Sequence, residues 1–295
     1  MNKNKAGQTA IGAAAVRTME LYYPEELRLF EDHFAKDFLN QPLKFLIDLM
    51  RFKGIRDWGI NLREKQVPGT LGGILCRTRY IDDVLKSAIK NGMENIVILG
   101  AGLDSRPYRI SGINKTRVFE LDLPSIQNFK KKRLIKILGS LPSHVTFVPI
   151  DFNNQTLDDV VTSKGLDILK PTFFIWEGVT QYITQEAVDS TLKYVSKTCP
   201  GSRIVFTYIQ KSVIDGTSDL EGADALMKLS KKAKAPWLFG LEPSNIKEFL
   251  GQYNLSLIED VGASYYQEKY LKPIGRNLNV FEVERIAFAK VIDKK

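Results

Sequence analysis

The segment Val97-Ile98-Leu99-Gly100-Ala101-Gly102-Leu103-Asp104 runs an apolar stretch into a Gly-x-Gly turn. Glycine lets a backbone turn tightly and lets a ligand approach with no Cβ in the way. A full dinucleotide fingerprint would have a third glycine where Ser105 stands, so an ordinary strand-to-loop turn explains the pair equally well. Glu120 and Asp122 follow about 20 residues beyond Gly100, the distance at which a carboxylate accepts the two hydroxyls of a ribose. Without a ligand, Glu120 reads as a solvated strand end and Asp122 as a cap for the helix opening at Pro124. Asp151-Phe152 sets an acid beside an aromatic, which suits the exocyclic amine and the ring face of adenine. A strand-end turn with Asn153 and Asn154 accounts for that pair too. Glu177, one residue before Gly178, offers a carboxylate to an amine or a sulfonium, and Tyr182 stands close enough to share the same mouth. Their bland readings are a helix N-cap region and a packed ring with a wetted hydroxyl.

These segments gain meaning as a set. Four successive apolar runs end in a glycine or an acid, at the edge where open α/β sheets hold ligands. An acidic edge repels phosphate, and no Arg or Lys lies between Gly100 and Asp104. That disfavours NADP and ATP and favours a cofactor with a ribose and a positive charge. S-adenosylmethionine meets these requirements. An NAD-dependent oxidoreductase is the competing enzyme reading, weakened by the missing third glycine and by Glu177.

The elements that must position these groups follow from periodicity. Strands are expected at 95–99, 117–121, 145–150, 172–176 and 203–208, with helices at 125–138, 156–163 and 185–198 between them. Alternation of this kind predicts a parallel sheet covered on both faces. Two more strands, near 255–260 and 284–292, are expected to pair antiparallel. Before the first strand, helices are expected at 10–21, 24–38, 42–52 and 78–91. A polar helical insertion spans 211–241, and Ser244 is read as the N-cap of a helix over 244–253. No linker divides the chain, so residues 1–295 read as one domain: a helical extension or lid (1–92), a cofactor-binding core (93–210), an insertion (211–243) and the rest of the sheet (244–295).

Composition sets the limits. The 295 residues include only two cysteines and two histidines, with no CxxC, so neither a disulfide framework nor a zinc site is expected. A reduced, cytoplasmic setting follows. The N-terminal stretch lacks the apolar core of a signal peptide, and no apolar run approaches the roughly 20 residues of a membrane span, so no membrane partner is expected. The net charge of +8 includes the run Lys130-Lys131-Lys132-Arg133, read as a solvated helix face, and the cluster Lys231-Lys232-Ala233-Lys234. Both could serve a non-catalytic nucleic-acid-binding protein, but a sheet covered by helices offers no open face for RNA.

The stretches LGAGLDSRPYR (99–109), FELDLP (119–124), IDF (150–152) and WEGVTQY (176–182) resemble the leucine carboxyl methyltransferase family. Within it they are most similar to the branch that includes polyketide-tailoring O-methyltransferases. The resemblance covers roughly residues 77–208. It implies a class I methyltransferase (Rossmann-like) fold, a seven-stranded sheet with an antiparallel last strand, and O-methylation of a small-molecule acceptor from S-adenosylmethionine. By the same resemblance Arg79 would contact the methionine carboxylate of the cofactor, with Arg77 as a near alternative. Gly100, Ala101 and Gly102 would lie under its methionine portion and Asp122, rather than Glu120, would hold the ribose. Asp151 and Phe152 would hold the adenine, Glu177 would face the amino group and Tyr182 would stand near the acceptor. Arg79 or Arg106 is available as a clamp for a carboxylate acceptor.

Overall fold

The computed structural model describes residues 3–293. Seven strands form one sheet: β1 (Asn95–Leu99), β2 (Arg117–Asp122), β3 (Val145–Pro149), β4 (Thr172–Trp176), β5 (Arg203–Ile209), β6 (Leu255–Val261) and β7 (Glu284–Val291), in the order β3-β2-β1-β4-β5-β7-β6. The first five run parallel, and β7 is antiparallel to both β5 and β6. This is the class I methyltransferase architecture. Every residue of β1 and of β4 is buried, as their unbroken apolar sequences NIVIL and TFFIW require of central strands covered on both faces. Pro149 ends β3 at the sheet edge, where a missing N–H costs no ladder bond.

The helices are α1 (Lys3–Met19), α2 (His33–Phe38), α3 (Gln41–Asp48), α4 (Lys53–Gln66), α5 (Thr70–Lys90), α6 (Arg106–Arg109), α7 (Pro124–Leu138), α8 (Leu157–Val160), α9 (Gln185–Val195), α10 (Lys211–Asp215), α11 (Ala223–Lys232), α12 (Ile246–Gly251) and α13 (Ala263–Tyr266). The strand order reverses between β1 and β4, and that switch point is where such sheets open a crevice beyond the strand ends. The 211–241 insertion is pinched at its base. Gln210 bridges to Leu241, and the Leu241 N–H donates to the Ile209 carbonyl at 3.0 Å.

Local periodicity misjudged several helices. The stretch 24–38 is not one helix: a single 3-10 turn (Glu25–Leu27) is followed by extended chain, and α2 starts only at His33. Tertiary bonds explain the break. The Leu29 N–H donates to the buried Glu20 carboxylate at 2.6 Å, and Asp32 both caps α2 and accepts from Arg17 and Ser105. The stretch 42–52 is α3 followed by a 3-10 turn (Leu49–Arg51), and α4 was not anticipated. Ser244 sits inside a 3-10 turn, and Asn245 precedes α12 instead.

The helix expected at 78–91 begins at Thr70. Its first turn holds Gly72 and Gly73, poor helix formers that hide the start from sequence. Packing demands them: a Cβ on Gly72 would lie 2.0 Å from the Asn279 carbonyl oxygen, and one on Gly73 would lie 1.7 Å from the Phe281 ring. Gly72→Ala is therefore expected to cost about 1–3 kcal/mol of stability despite the better helix propensity of alanine. Urea unfolding should show a lower midpoint at an unchanged slope. An unchanged midpoint would mean that the 279–281 segment yields freely.

Candidate functional site

A cavity of about 410 Å³ opens at the switch point, within the roughly 300–1,000 Å³ typical of small-molecule sites. Its floor is the turn after β1. Gly100 has φ +68, and a Cβ there would meet Val179 at 2.4 Å, so both backbone and packing require glycine. Gly102 has φ +44 and lies under Ala10 of α1. One wall is Asp122 at the end of β2, which accepts from the Gly102 N–H at 2.5 Å and from the Leu123 N–H at 2.6 Å. Burial pushes the Asp122 carboxyl above its usual range, and those two N–H bonds offset part of the rise. Beyond β3, Asp151 and Phe152 line the same space, with the Asp151 carboxylate held by the Asn153 N–H and the Asn154 amide. Glu177 and Gly178 close the side beyond β4, and Tyr182 lies past them.

Eight of the nine residues singled out from sequence thus meet around one cavity: Gly100, Ala101, Gly102, Asp122, Asp151, Phe152, Glu177 and Tyr182. Arg79 does not. Two residues along an α-helix turn the side chain by about 200°, so Arg77 and Arg79 of α5 face different ways. Arg79 pairs with Asp83, donates to the Leu29 carbonyl at 2.6 Å and lies over the Tyr270 ring. Arg77 lines the cavity, donating to Glu177 at 2.9 Å and to Glu284 at 2.6 Å. Burial alone would lower its pKa, but the two carboxylates raise it and keep the guanidinium charged.

Glu120 is neither a solvated strand end nor a cavity residue. Its carboxylate is buried against Lys130 at 2.8 Å and accepts from the Tyr108 hydroxyl at 2.7 Å. Lys130 therefore departs from the solvated face expected of the 130–133 run. Arg106 is also no clamp for an acceptor. It is 2% exposed and bonded to Asp82, Asp104 and Glu177, each at 2.7 Å.

Sequence reasoning missed what α1 contributes. Thr9, Ala10, Ala13 and Arg17 roof the cavity, and Arg17 donates to the Leu103 carbonyl at 2.6 Å and to Asp32 at 2.8 Å. The small residues at 10–15 were the available signal, since only small side chains let a helix lie close over a glycine turn. Tyr182 lies beside Thr9 of α1 and Trp237 of the insertion, and burial raises its pKa. Tyr22, Tyr23 and Trp58, the aromatic side chains of the N-terminal helical segment that could have walled a pocket, do not line the cavity.

The family profile of the leucine carboxyl methyltransferases matches residues 10–196. The chain belongs to the leucine carboxyl methyltransferase family. It is 27% identical over 302 aligned positions to YktD of Bacillus subtilis (strain 168), which carries the name of an S-adenosyl-L-methionine-dependent methyltransferase; the match covers 96% of this chain and 97% of that one. A Frankia alni protein given the same function by name is 31% identical, over 79% of this chain and 80% of its own. Among solved structures, a Thermobifida fusca protein titled as a methyltransferase superposes with a TM-score of 0.57 at 13% identity, covering 93% and 97% of the two chains.

The protein is an S-adenosylmethionine-dependent methyltransferase, and the cavity suits that cofactor. Carboxylates at three strand ends face a glycine floor, matching a ligand that carries a ribose, an adenine and positive charge. Among the described residues, no group of three or more His, Cys, Asp or Glu is placed to hold a metal ion. No described helix is long and apolar enough to cross a membrane.

Asp104 gives the methyltransferase a testable acid limb. Burial, the largest single influence, would raise its carboxyl pKa, but the charges of Arg106, Lys130 and Arg17 and the Arg106 N–H together outweigh it and lower the value from 3.8 to about 2. A depressed folded-state value means stability that is complete above the unfolded pKa and lost as pH falls through the folded one. Asp104→Asn is therefore expected to cost about 2 kcal/mol at neutral pH. Its deficit against wild type should shrink as pH drops from 3.8 towards about 2, as read by chemical unfolding at each pH. A deficit independent of pH would place the cost in lost shape rather than charge.

Proposed function

We propose that the enzyme methylates an oxygen of a small-molecule acceptor, and that a carboxylate is the acceptor group its cavity favours. The observation that supports this reading is that the carboxylates lining the cavity are already engaged: Asp104 and Glu177 by guanidiniums, Asp122 by two backbone N–H groups and Asp151 by the Asn153 N–H and the Asn154 amide. No His, Lys or Cys lines the cavity among the described residues. Tyr182 is held protonated by burial, while Glu177 is kept ionised by Arg106 and Arg77 against the effect of burial. Its two oxygens are engaged by those same guanidiniums, at 2.9 and 2.7 Å. A carboxylate acceptor arrives already ionised and needs no general base. The family's name, which denotes carboxyl methylation, points the same way.

S-adenosylmethionine supplies an electrophilic methyl group on a sulfonium. In the reading proposed here, Asp122 holds the ribose hydroxyls, Asp151 and Phe152 hold the adenine, and the Gly100–Gly102 backbone lies beneath the methionine portion. Glu177 takes the amino group, for which each of its oxygens retains a lone pair. Arg77, in place of Arg79, takes the carboxylate. The acceptor enters beside Tyr182, which stands between Thr9 of the α1 roof and Trp237 of the insertion. The contribution of the chain is then orientation and exclusion of water, a source worth about 7–11 kcal/mol at best.

Calorimetry tests the cofactor assignment. Asp122→Ala is expected to weaken S-adenosylmethionine binding by about 100-fold, as loss of two hydrogen bonds to a charged acceptor implies; unchanged affinity would place the ribose elsewhere. The acceptor is tested with labelled methyl groups and a panel of carboxylic acids and phenols. Label released as methanol by mild alkali identifies an ester. Alkali-stable label on a phenol would favour ether formation and overturn the carboxylate reading.

A further inference from the structure

Nine of the fourteen large apolar side chains found exposed among the described residues lie on or beside three helices, α3, α4 and α7, and outside the cavity lining. Six follow α3 and α4: Phe45, Leu46, Phe52, Ile55, Trp58 and Leu62, with exposures from 41% to 67%. Ile55, Trp58 and Leu62 fall at the three- and four-residue spacing that puts them on one stripe of α4. The other three, Phe129, Ile135 and Leu138, belong to α7.

The two groups adjoin. A second cleft, of about 290 Å³, is lined by Gln41 and Lys44 of α3 and by Arg133, Lys136 and Ile137 of α7, with Asp37 between them. Cations frame the apolar face. Helix α7 carries five of them and no carboxylate, and only Lys130 is spent on a buried partner. Arg51 is exposed beside Phe52, Lys53 is exposed and paired with Asp57 at 3.8 Å, and the Asp37 carboxylate in the cleft is already paired with Lys44.

We propose that this face docks the enzyme on an anionic lipid surface. Its Phe, Trp and Leu side chains would enter the headgroup boundary and its Lys and Arg side chains would meet the negative charge, as in interfacial amphipathic helices. Charge decides between the occupants. A second copy related by a two-fold axis would bring α7 and its cations against a like surface. Nucleic acid would use the cations but leave Leu46, Ile55 and Leu62 without a role, since aliphatic side chains do not stack on bases. No described helix is long and apolar enough to cross a bilayer, which says nothing against lying on one. Docking there would also place the roof of the cavity near the membrane. Leu134 of α7, Ile47 of α3 and Ala14 of α1 share one buried cluster with Leu103 of the glycine turn.

Flotation of the full chain with phosphatidylcholine vesicles, with and without phosphatidylglycerol, tests this. Wild type is expected to float only with the anionic vesicles and to release as salt rises. Tryptophan emission should shift to the blue on binding, since Trp58 is 67% exposed. The double variants Phe52→Ser/Trp58→Ser and Lys132→Glu/Arg133→Glu should each lower the partition about tenfold or more, with S-adenosylmethionine affinity unchanged as proof of folding. No binding to anionic vesicles, or equal binding by all three proteins, overturns the proposal. A dimer in lipid-free solution that the Phe52/Trp58 variant abolishes would assign the face to a second copy instead. RNA binding lost in the Lys132/Arg133 variant, without vesicle binding, would assign it to nucleic acid.

Discussion

The guanidinium of Arg106 reaches three carboxylates from three separate parts of the chain: Asp82 in α5, Asp104 in the glycine turn and Glu177 beyond β4. Arg109 adds a forked pair to Asp82, at 2.6 and 2.8 Å, and Arg77 joins Glu177 to Glu284 at the start of β7. Burying ions is costly unless each has a partner, and removing one partner typically costs about 3–5 kcal/mol. The network therefore has few alternative arrangements. It fixes α5, the turn after β1 and the end of β4 relative to one another, and those are the elements that bound the cavity. Arg17 extends the constraint to α1, through Asp32 and the Leu103 carbonyl, so the roof is tied to the floor.

The same network sorts the acids by task. Asp104 and Glu177 lie beside guanidiniums and are held ionised in spite of burial. Asp122, which accepts from two backbone N–H groups, is shifted upward by burial. Glu120 is shifted upward too, although Lys130 is beside it. Of these four, Asp122 has no side-chain counter-ion close by and the cavity in front of it. A carboxylate so placed is better stabilised by a hydroxyl-bearing ligand than by anything the chain itself offers, which is the physical case for giving it the ribose.

The acidic cavity and the net charge of +8 now occupy different regions. Positive charge at the cavity is confined to arginines already bonded to carboxylates. Cations without a carboxylate partner collect instead on α7, among exposed aromatic and aliphatic side chains. Helices α3 and α7 thus have two sides of different character. Inward they bury Ile47 and Leu134 in one cluster with Leu103 of the glycine turn; outward they expose Phe45, Leu46, Phe129, Ile135 and Leu138.

Strand positions, the parallel core and the antiparallel final pair were legible because buried strands leave continuous apolar runs, whatever the rest of the chain does. That eight of the nine candidate residues would line one cavity was legible for a related reason. Ligand groups in such a sheet sit at strand ends, so finding Leu99, Asp122, Ile150 and Trp176 nearly locates the cavity. The N-terminal half of the story was not. A break at Leu29–Asp32 depends on Glu20, Arg17 and Ser105, which are distant in sequence, and Gly72 and Gly73 make sense only against Asn279 and Phe281. The choice of Arg77 over Arg79 rests on which side of α5 faces Glu177, a matter of helix rotation set by packing. Local sequence determines elements and their ends, because those follow from short-range periodicity. Only the tertiary structure decides which charges meet, because an ion pair between residues 100 positions apart leaves no mark on either neighbourhood.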